Sequence, residues 1–187
     1  MKSFCLEAKA INNPKKQRGR SLRKLRPLLI INPLNKLIMK SKVNEIAISY
    51  TGSLKTNLLP KISSSRSAAD LAFAQWNKNE IELQETFKIM LLNNANKVKG
   101  IYEVSKGGIT GTLVDVRILF AVVLKSLTTA LILLHNHPSG TLRPSEADKS
   151  LTRKIKNAAS FFDVKVLDHI ILMPDGNYYS FADEGIL

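Results

Sequence analysis

Two histidines one residue apart, His135 and His137, are followed by Ser145 and, three residues further on, Asp148. Two imidazoles and a carboxylate form a ligand set for a divalent ion. Three protein ligands leave a fourth position for water, which distinguishes catalytic zinc from closed structural zinc. The chemistry implied is hydrolysis by a metal-activated water. A plainer reading exists as well, because Ser-x-x-Asp ahead of an apolar periodic run is a helix capping box. Two of the chain's three histidines lie in this one stretch, and that concentration favours the metal reading over capping alone.

Three segments must position these side chains. Thr129-Ala130-Leu131-Ile132-Leu133-Leu134 is a continuous apolar run ending at the first histidine, a pattern that suits a strand buried on both faces. If the extended backbone persists two residues past the run, side chains 135 and 137 project to the same side. Pro138-Ser139-Gly140 then turns the chain. Ala147, Leu151, Ile155, Ala158, Ala159 and Phe162 recur at helical spacing, predicting a helix from about residue 146 with Ser145 at its N-cap. Asp148 falls in the first turn, where the helix dipole favours a carboxylate.

These residues resemble a family. His135-x-His137, seven residues, Ser145, two residues and Asp148 looks like the JAMM motif of the JAB/MPN metalloenzymes. More narrowly, His135-Asn136-His137-Pro138-Ser139-Gly140, with Pro144-Ser145 and Leu167-Asp168-His169-Ile170-Ile171, resembles the RadC-like branch over residues 63–187. The resemblance implies an α/β sandwich related to the cytidine deaminases, with a central mixed sheet flanked by helices. It also implies a zinc-dependent hydrolase acting on a peptide or isopeptide bond. Active members use an upstream glutamate as general base, a role that the resemblance carries to Glu85 at the start of Glu85-Thr86-Phe87-Lys88-Ile89-Met90-Leu91-Leu92. By position alone Glu80 and Glu82 are rivals, and a solvated strand-end charge is the bland alternative. The Ser145 hydroxyl is the candidate donor to a developing oxyanion. One departure stands out: where RadC-like proteins carry Pro-Arg-Glu, this chain has Asp115-Val116-Arg117-Ile118 and keeps only the arginine.

The third histidine, His169, follows Asp168 between two apolar stretches. It reads as a hydrogen-bonded core residue, with Asp168 or His169 as a candidate to orient the metal ligands. Upstream, Ser67-Ala68-Ala69-Asp70 predicts a capped helix through Trp76, and Asn93 to Asn96 a turn into a strand over 98–104. Periodicity leaves Val116 to Leu124 open between strand and buried helix, and the resemblance selects helix. Asp175-Gly176-Asn177 predicts a hairpin turn.

Composition bounds the remainder. The 187 residues, 44% hydrophobic, suffice for one cored domain. Cys5 is the single cysteine, which excludes an internal disulfide and indicates no thiol chemistry, so a reducing cytoplasm is the expected setting. The net charge is +13, but residues 1–38 hold ten Lys/Arg against one acidic residue and so carry +9 of it. Residues 1–40 read as a basic, disordered extension able to bind nucleic acid nonspecifically, without interleaved aromatics for base stacking. Met39 offers an alternative start, and alternation in Lys40 to Tyr50 predicts a first strand within a 41–62 segment leading into the domain. Leu28-Leu29-Ile30-Ile31 is too short for a membrane span. Two further classes stay open beside the hydrolase: a DNA-associated protein, suggested by the repair name of RadC, and a silent MPN scaffold. Residues 1–62 show no paired helices about a Gly-rich hairpin, and the ligands that silent members lose are kept here.

Overall fold

The computed structural model describes Gly52, residues 54–108 and residues 111–187. The basic extension and the strand expected in Lys40 to Tyr50 lie outside these residues. The described part of 41–62 holds a short 3-10 turn, Thr56–Leu58, and a bridge from Lys61 to Lys97.

The elements then run α1 (Ser65–Ala74), β1 (Thr86–Leu92), β2 (Val98–Lys106), α2 (Val116–Lys125), β3 (Ala130–Asn136), α3 (Glu146–Ser160), β4 (Lys165–Leu172) and β5 (Tyr178–Ser180). The strands form one sheet in the order β2-β1-β3-β4-β5. β3 and β4 are parallel and every other neighbouring pair is antiparallel. A parallel pair needs a long crossover, and α3 supplies it. The architecture is the α/β fold with a mixed sheet flanked by helices.

β3 is buried at every position, as its unbroken apolar run predicts. Its alternation serves two cores. Leu131 and Leu133 pack with Phe87, Ile89, Leu119 and Ile155 under α2 and α3. Ile132 and Leu134 pack with Met90, Leu92, Ala68, Ala72 and Trp76 under α1. Each such side chain contributes about 1.5–3 kcal/mol on full burial, so the strand that carries the histidines is firmly held in the sheet.

Three local outcomes refine the sequence expectations. The cap predicted at Ser67 lies at Ser64: its hydroxyl accepts from the Ser67 N–H, and the Ser67 hydroxyl accepts from the Ser64 N–H, at 3.2 and 3.1 Å. Ser67 thus fills the place of the Glu or Gln of an ordinary capping box, while Asp70 pairs with Arg66 one turn back. The helix ends at Ala74, two residues short of the buried Trp76. Second, Val116–Lys125 is helix, capped by Asp115 through the Arg117 N–H at 2.9 Å. Both Asp115 oxygens also accept from the Arg117 guanidinium, at 3.0 and 2.6 Å. Arg117 therefore does have an acidic partner, placed before it in the chain rather than after. Third, the hairpin closes through Gly176 at φ +89°, where a side chain would be strained.

Candidate metal centre

The ladder that buries β3 runs one residue past the strand: the His137 N–H donates to the Leu172 carbonyl at 3.0 Å. Extended backbone through residue 137 turns both imidazoles to the α3 side. α3 packs there through Ile155 and Ala159 and presents Asp148 from its first turn. The three predicted ligands meet. His135 Nε2 lies 2.9 Å from His137 Nε2, and the Asp148 oxygens lie 3.4 Å from His135 Nε2 and 3.7 Å from His137 Nε2. One donor atom from each residue falls within a 4.8 Å cluster.

The polarity of that cluster tests whether a metal fits. His137 Nδ1 lies 2.7 Å from the Thr141 carbonyl, which only accepts, so Nδ1 carries the proton and a neutral His137 offers a lone pair from Nε2. His135 likewise uses Nδ1 elsewhere, 2.8 Å from His169 Nε2. Two imidazole lone pairs and a carboxylate converging in a half-buried space repel one another unless a cation sits among them. Nitrogen and oxygen donors of this kind match zinc.

Electrostatics agree with the geometry. Burial pushes His135 down to about 4, against a smaller opposing pull from Asp148. His137 is also buried in part, but hydrogen bonds to Asp148 and to the Thr141 carbonyl raise it overall. Burial works against the Asp148 charge, yet His137, His135 and Ser145 together hold its carboxyl far below the usual range. The Asp148 carboxylate thus keeps its charge beside a neutral His135, and the cluster attracts positive charge.

Ser145 and Asp148 are a capping box as well as part of this cluster. The Asp148 N–H donates to Ser145 Oγ at 3.1 Å, and Asp148 Oδ2 accepts from both the Ser145 N–H and its hydroxyl at 2.7 Å. The two readings of Ser-x-x-Asp coexist, because the cap fixes one carboxylate oxygen and leaves the other toward His135. Glu85 lines the same cavity, of about 360 Å³, with Arg143 and Thr141 at its wall. Burial raises the Glu85 carboxyl; His137 pulls it back and Asp148 adds to the rise. Its rivals lie elsewhere: Glu80 is paired with Lys106 at 2.7 Å, and Glu82 is exposed.

Two residues have roles that spacing alone did not assign. Asn136, fully buried between the two ligands in sequence, points to the opposite face. Its Oδ1 accepts from the Thr86 N–H at 2.8 Å, and its amide donates to the carbonyls of Ile81 and Gln84 at 2.7 and 3.0 Å. These bonds pin the backbone on both sides of Glu85. Of the Asp168-His169 pair, His169 is the one in contact with a ligand. Asp168 instead accepts from Ser180 Oγ and the Ala182 N–H, tying β4 to the C-terminal turn. Among the described residues no helix is long and apolar enough to cross a membrane.

A mixed α/β sandwich with a His-x-His strand end facing a Ser-x-x-Asp helix start defines a domain of the JAB/MPN class with a candidate metal site. The chain belongs to the RadC-like JAB domain family, whose model matches residues 62–186. It is 56% identical over 102 residues to a UPF0758 protein of Flavobacterium johnsoniae, covering 54% of this chain and 44% of that one. A UPF0758 protein of Porphyromonas gingivalis is 44% identical over 104 residues, covering 56% and 46%, and one from Gloeothece citriformis is 46% identical over 97 residues, covering 52% and 40%. The chain thus matches less than half the length of these relatives.

Proposed function

We propose that this chain is a metal-dependent hydrolase that holds zinc at His135, His137 and Asp148 and cleaves an amide bond in a peptide or isopeptide-linked substrate. The observation that carries the reading is the convergence of one potential ligand atom from each of His135, His137 and Asp148 beside a cavity that Glu85 also lines. Membership of the JAB family supports the amide preference. Bound there, zinc supplies Lewis acidity and lowers the pKa of water toward 7.

The chain's own residues supply the rest. Glu85, with its proton affinity raised by burial, takes the proton of the attacking water and returns it to the leaving amine, since a base works best with a pKa near the working pH. The Asn136 clamp holds Glu85 at the cavity while the chemistry proceeds. Ser145 orients Asp148 by its hydroxyl, and the same hydroxyl, rotated toward the cavity, donates to the oxyanion. A donor in that position is worth about 2.7–4 kcal/mol.

The test is metal analysis of the purified full chain, then turnover on amide, isopeptide and phosphodiester substrates with and without added zinc. About one zinc per chain and zinc-dependent amide cleavage are expected. Zinc-free protein after zinc loading, or cleavage of phosphodiesters alone, overturns the reading.

A further inference from the structure

We propose that His169 and Thr152 form a positioning relay that fixes the tautomer of His135, so that its Nε2 is offered bare to the metal, and that the relay ties this choice to the helix bearing Asp148. The inference rests on the metal reading of the site.

The chain of hydrogen bonds runs outward from α3. The Thr152 hydroxyl lies 2.6 Å from the carbonyl oxygen of Asp148. A carbonyl cannot donate, so the hydroxyl proton is committed there. Thr152 Oγ1 also lies 2.7 Å from His169 Nδ1, and with its proton used it can only accept, which places the His169 proton on Nδ1. His169 is wholly buried, stacked on Phe181 with ring centroids 4.6 Å apart. Its ring nitrogens meet Thr152 Oγ1 and His135 Nδ1, while the Asp168 carboxylate accepts from its backbone N–H at 2.7 Å and not from the ring, so a charged ring would be desolvated without an anionic partner in contact. A neutral ring protonated on Nδ1 has a bare Nε2, and this atom sits 2.8 Å from His135 Nδ1. His135 must then donate from Nδ1, which leaves Nε2 as a lone pair toward His137 and Asp148.

Every proton in the chain is thereby assigned from one committed hydroxyl. Thr152 lies one turn after Asp148 in α3, and His169 lies opposite Leu133 in the register of β3 and β4. The relay therefore spans the parallel strand pair and the crossover helix between them. Metal-bound histidines are commonly oriented by a carboxylate or a backbone carbonyl; here a second imidazole does it, with a threonine behind it.

The test uses the full chain, zinc competition with a chelator, and histidine ¹⁵N NMR. In zinc-loaded wild type, His169 is expected as the Nδ1–H tautomer, with a coupling across the hydrogen bond from His135 Nδ1 to His169 Nε2. Thr152→Val and His169→Phe are expected to weaken zinc about 10–100-fold, the range for such outer partners, and Thr152→Ser to restore affinity to within about threefold of wild type. His169 protonated on Nε2 in the wild type overturns the relay without any variant. So do variants that fold and keep wild-type affinity. A wild type that binds no zinc instead removes the metal reading, while the His169 tautomer in that protein still decides the hydrogen-bond assignment.

Discussion

At the end of β3 three consecutive residues serve opposite faces of one sheet. His135 and His137 turn toward α3 and meet Asp148, with one potential ligand atom from each within 4.8 Å of the others. Asn136 turns toward α1, where its amide bonds to Thr86, Ile81 and Gln84 are complete within the protein. One face has its polar groups satisfied, and the other is held ready for a ligand. The same two-residue period does both: it sends the ligands to the cavity and the clamp to the turn that precedes Glu85. A site of this kind needs rigid support close to potential ligand atoms, and the strand supplies both within three residues.

The largest expected effect falls on the ligand face. His135→Ala and His137→Ala should each reduce zinc from about one per chain to near zero by metal analysis, because two remaining ligands rarely retain the ion. Neither should disturb the Asn136 bonds, so the variants should still fold in the metal-free form. Full zinc retained in the double variant would place the metal elsewhere and dissolve the comparison.

Next in size is the split between base and ligand. Glu85→Gln should keep zinc and lose turnover by about a hundred- to ten-thousand-fold, the usual worth of a general base. Asp148→Asn should weaken zinc itself, since a neutral amide is a poorer ligand than a carboxylate. Zinc content beside hydrolysis rate separates the two. Unchanged turnover in Glu85→Gln would leave the cavity without a base, as Glu80 is engaged with Lys106.

The clamp face should show its effect in stability instead. Asn136→Leu orphans one buried N–H and two carbonyls, each costing about 1–3 kcal/mol. A loss of several kcal/mol in urea denaturation of the metal-free protein is expected, with zinc stoichiometry unchanged in whatever remains folded. If zinc is lost in step with stability, the two faces are one unit and the division drawn here fails.

What was legible in the sequence follows this division. The ligand face could be read because spacing encodes it: an apolar run fixes a buried strand, parity puts 135 and 137 together, and a capping pattern fixes where Asp148 enters. Asn136 was only half legible. Parity alone sends it away from the ligands, but its partners at 81, 84 and 86 are about 50 residues distant, and no local signal names them. For His169 the apolar run marks only a bonded core residue; its bond to His135 depends on the register of β3 against β4, which spacing does not specify. The α1 cap was displaced for a different reason. Three adjacent serines and Ser67 offer several equivalent starts, and packing of Ala68, Ala69 and Ala72 against the sheet chooses among them.

The smallest expected effect is acid sensitivity of the metal-free domain, and it too belongs to the ligand face. His135, buried, titrates near 4 when folded against 6.5 when unfolded, and burial lowers His169 as well. Between these limits the unfolded chain binds more protons than the folded one, so stability must fall as pH drops from 6.5 toward 4. The His135 shift alone corresponds to about 3 kcal/mol across that window. His137 has the opposite sign: its raised value gives a contribution that is complete below 6.5 and fades as pH rises through its folded value. Asp148, held low, keeps its contribution until far more acid conditions. Chelator-treated protein followed by urea denaturation from pH 7 to pH 4.5 should therefore lose stability on the acid side, and His135→Phe should flatten that limb. A slope that survives in His135→Phe would assign it to His169 alone. A flat profile in the wild type would mean that neither imidazole is held neutral, and the ligand face would not be the acceptor-rich pocket that its hydrogen bonds describe.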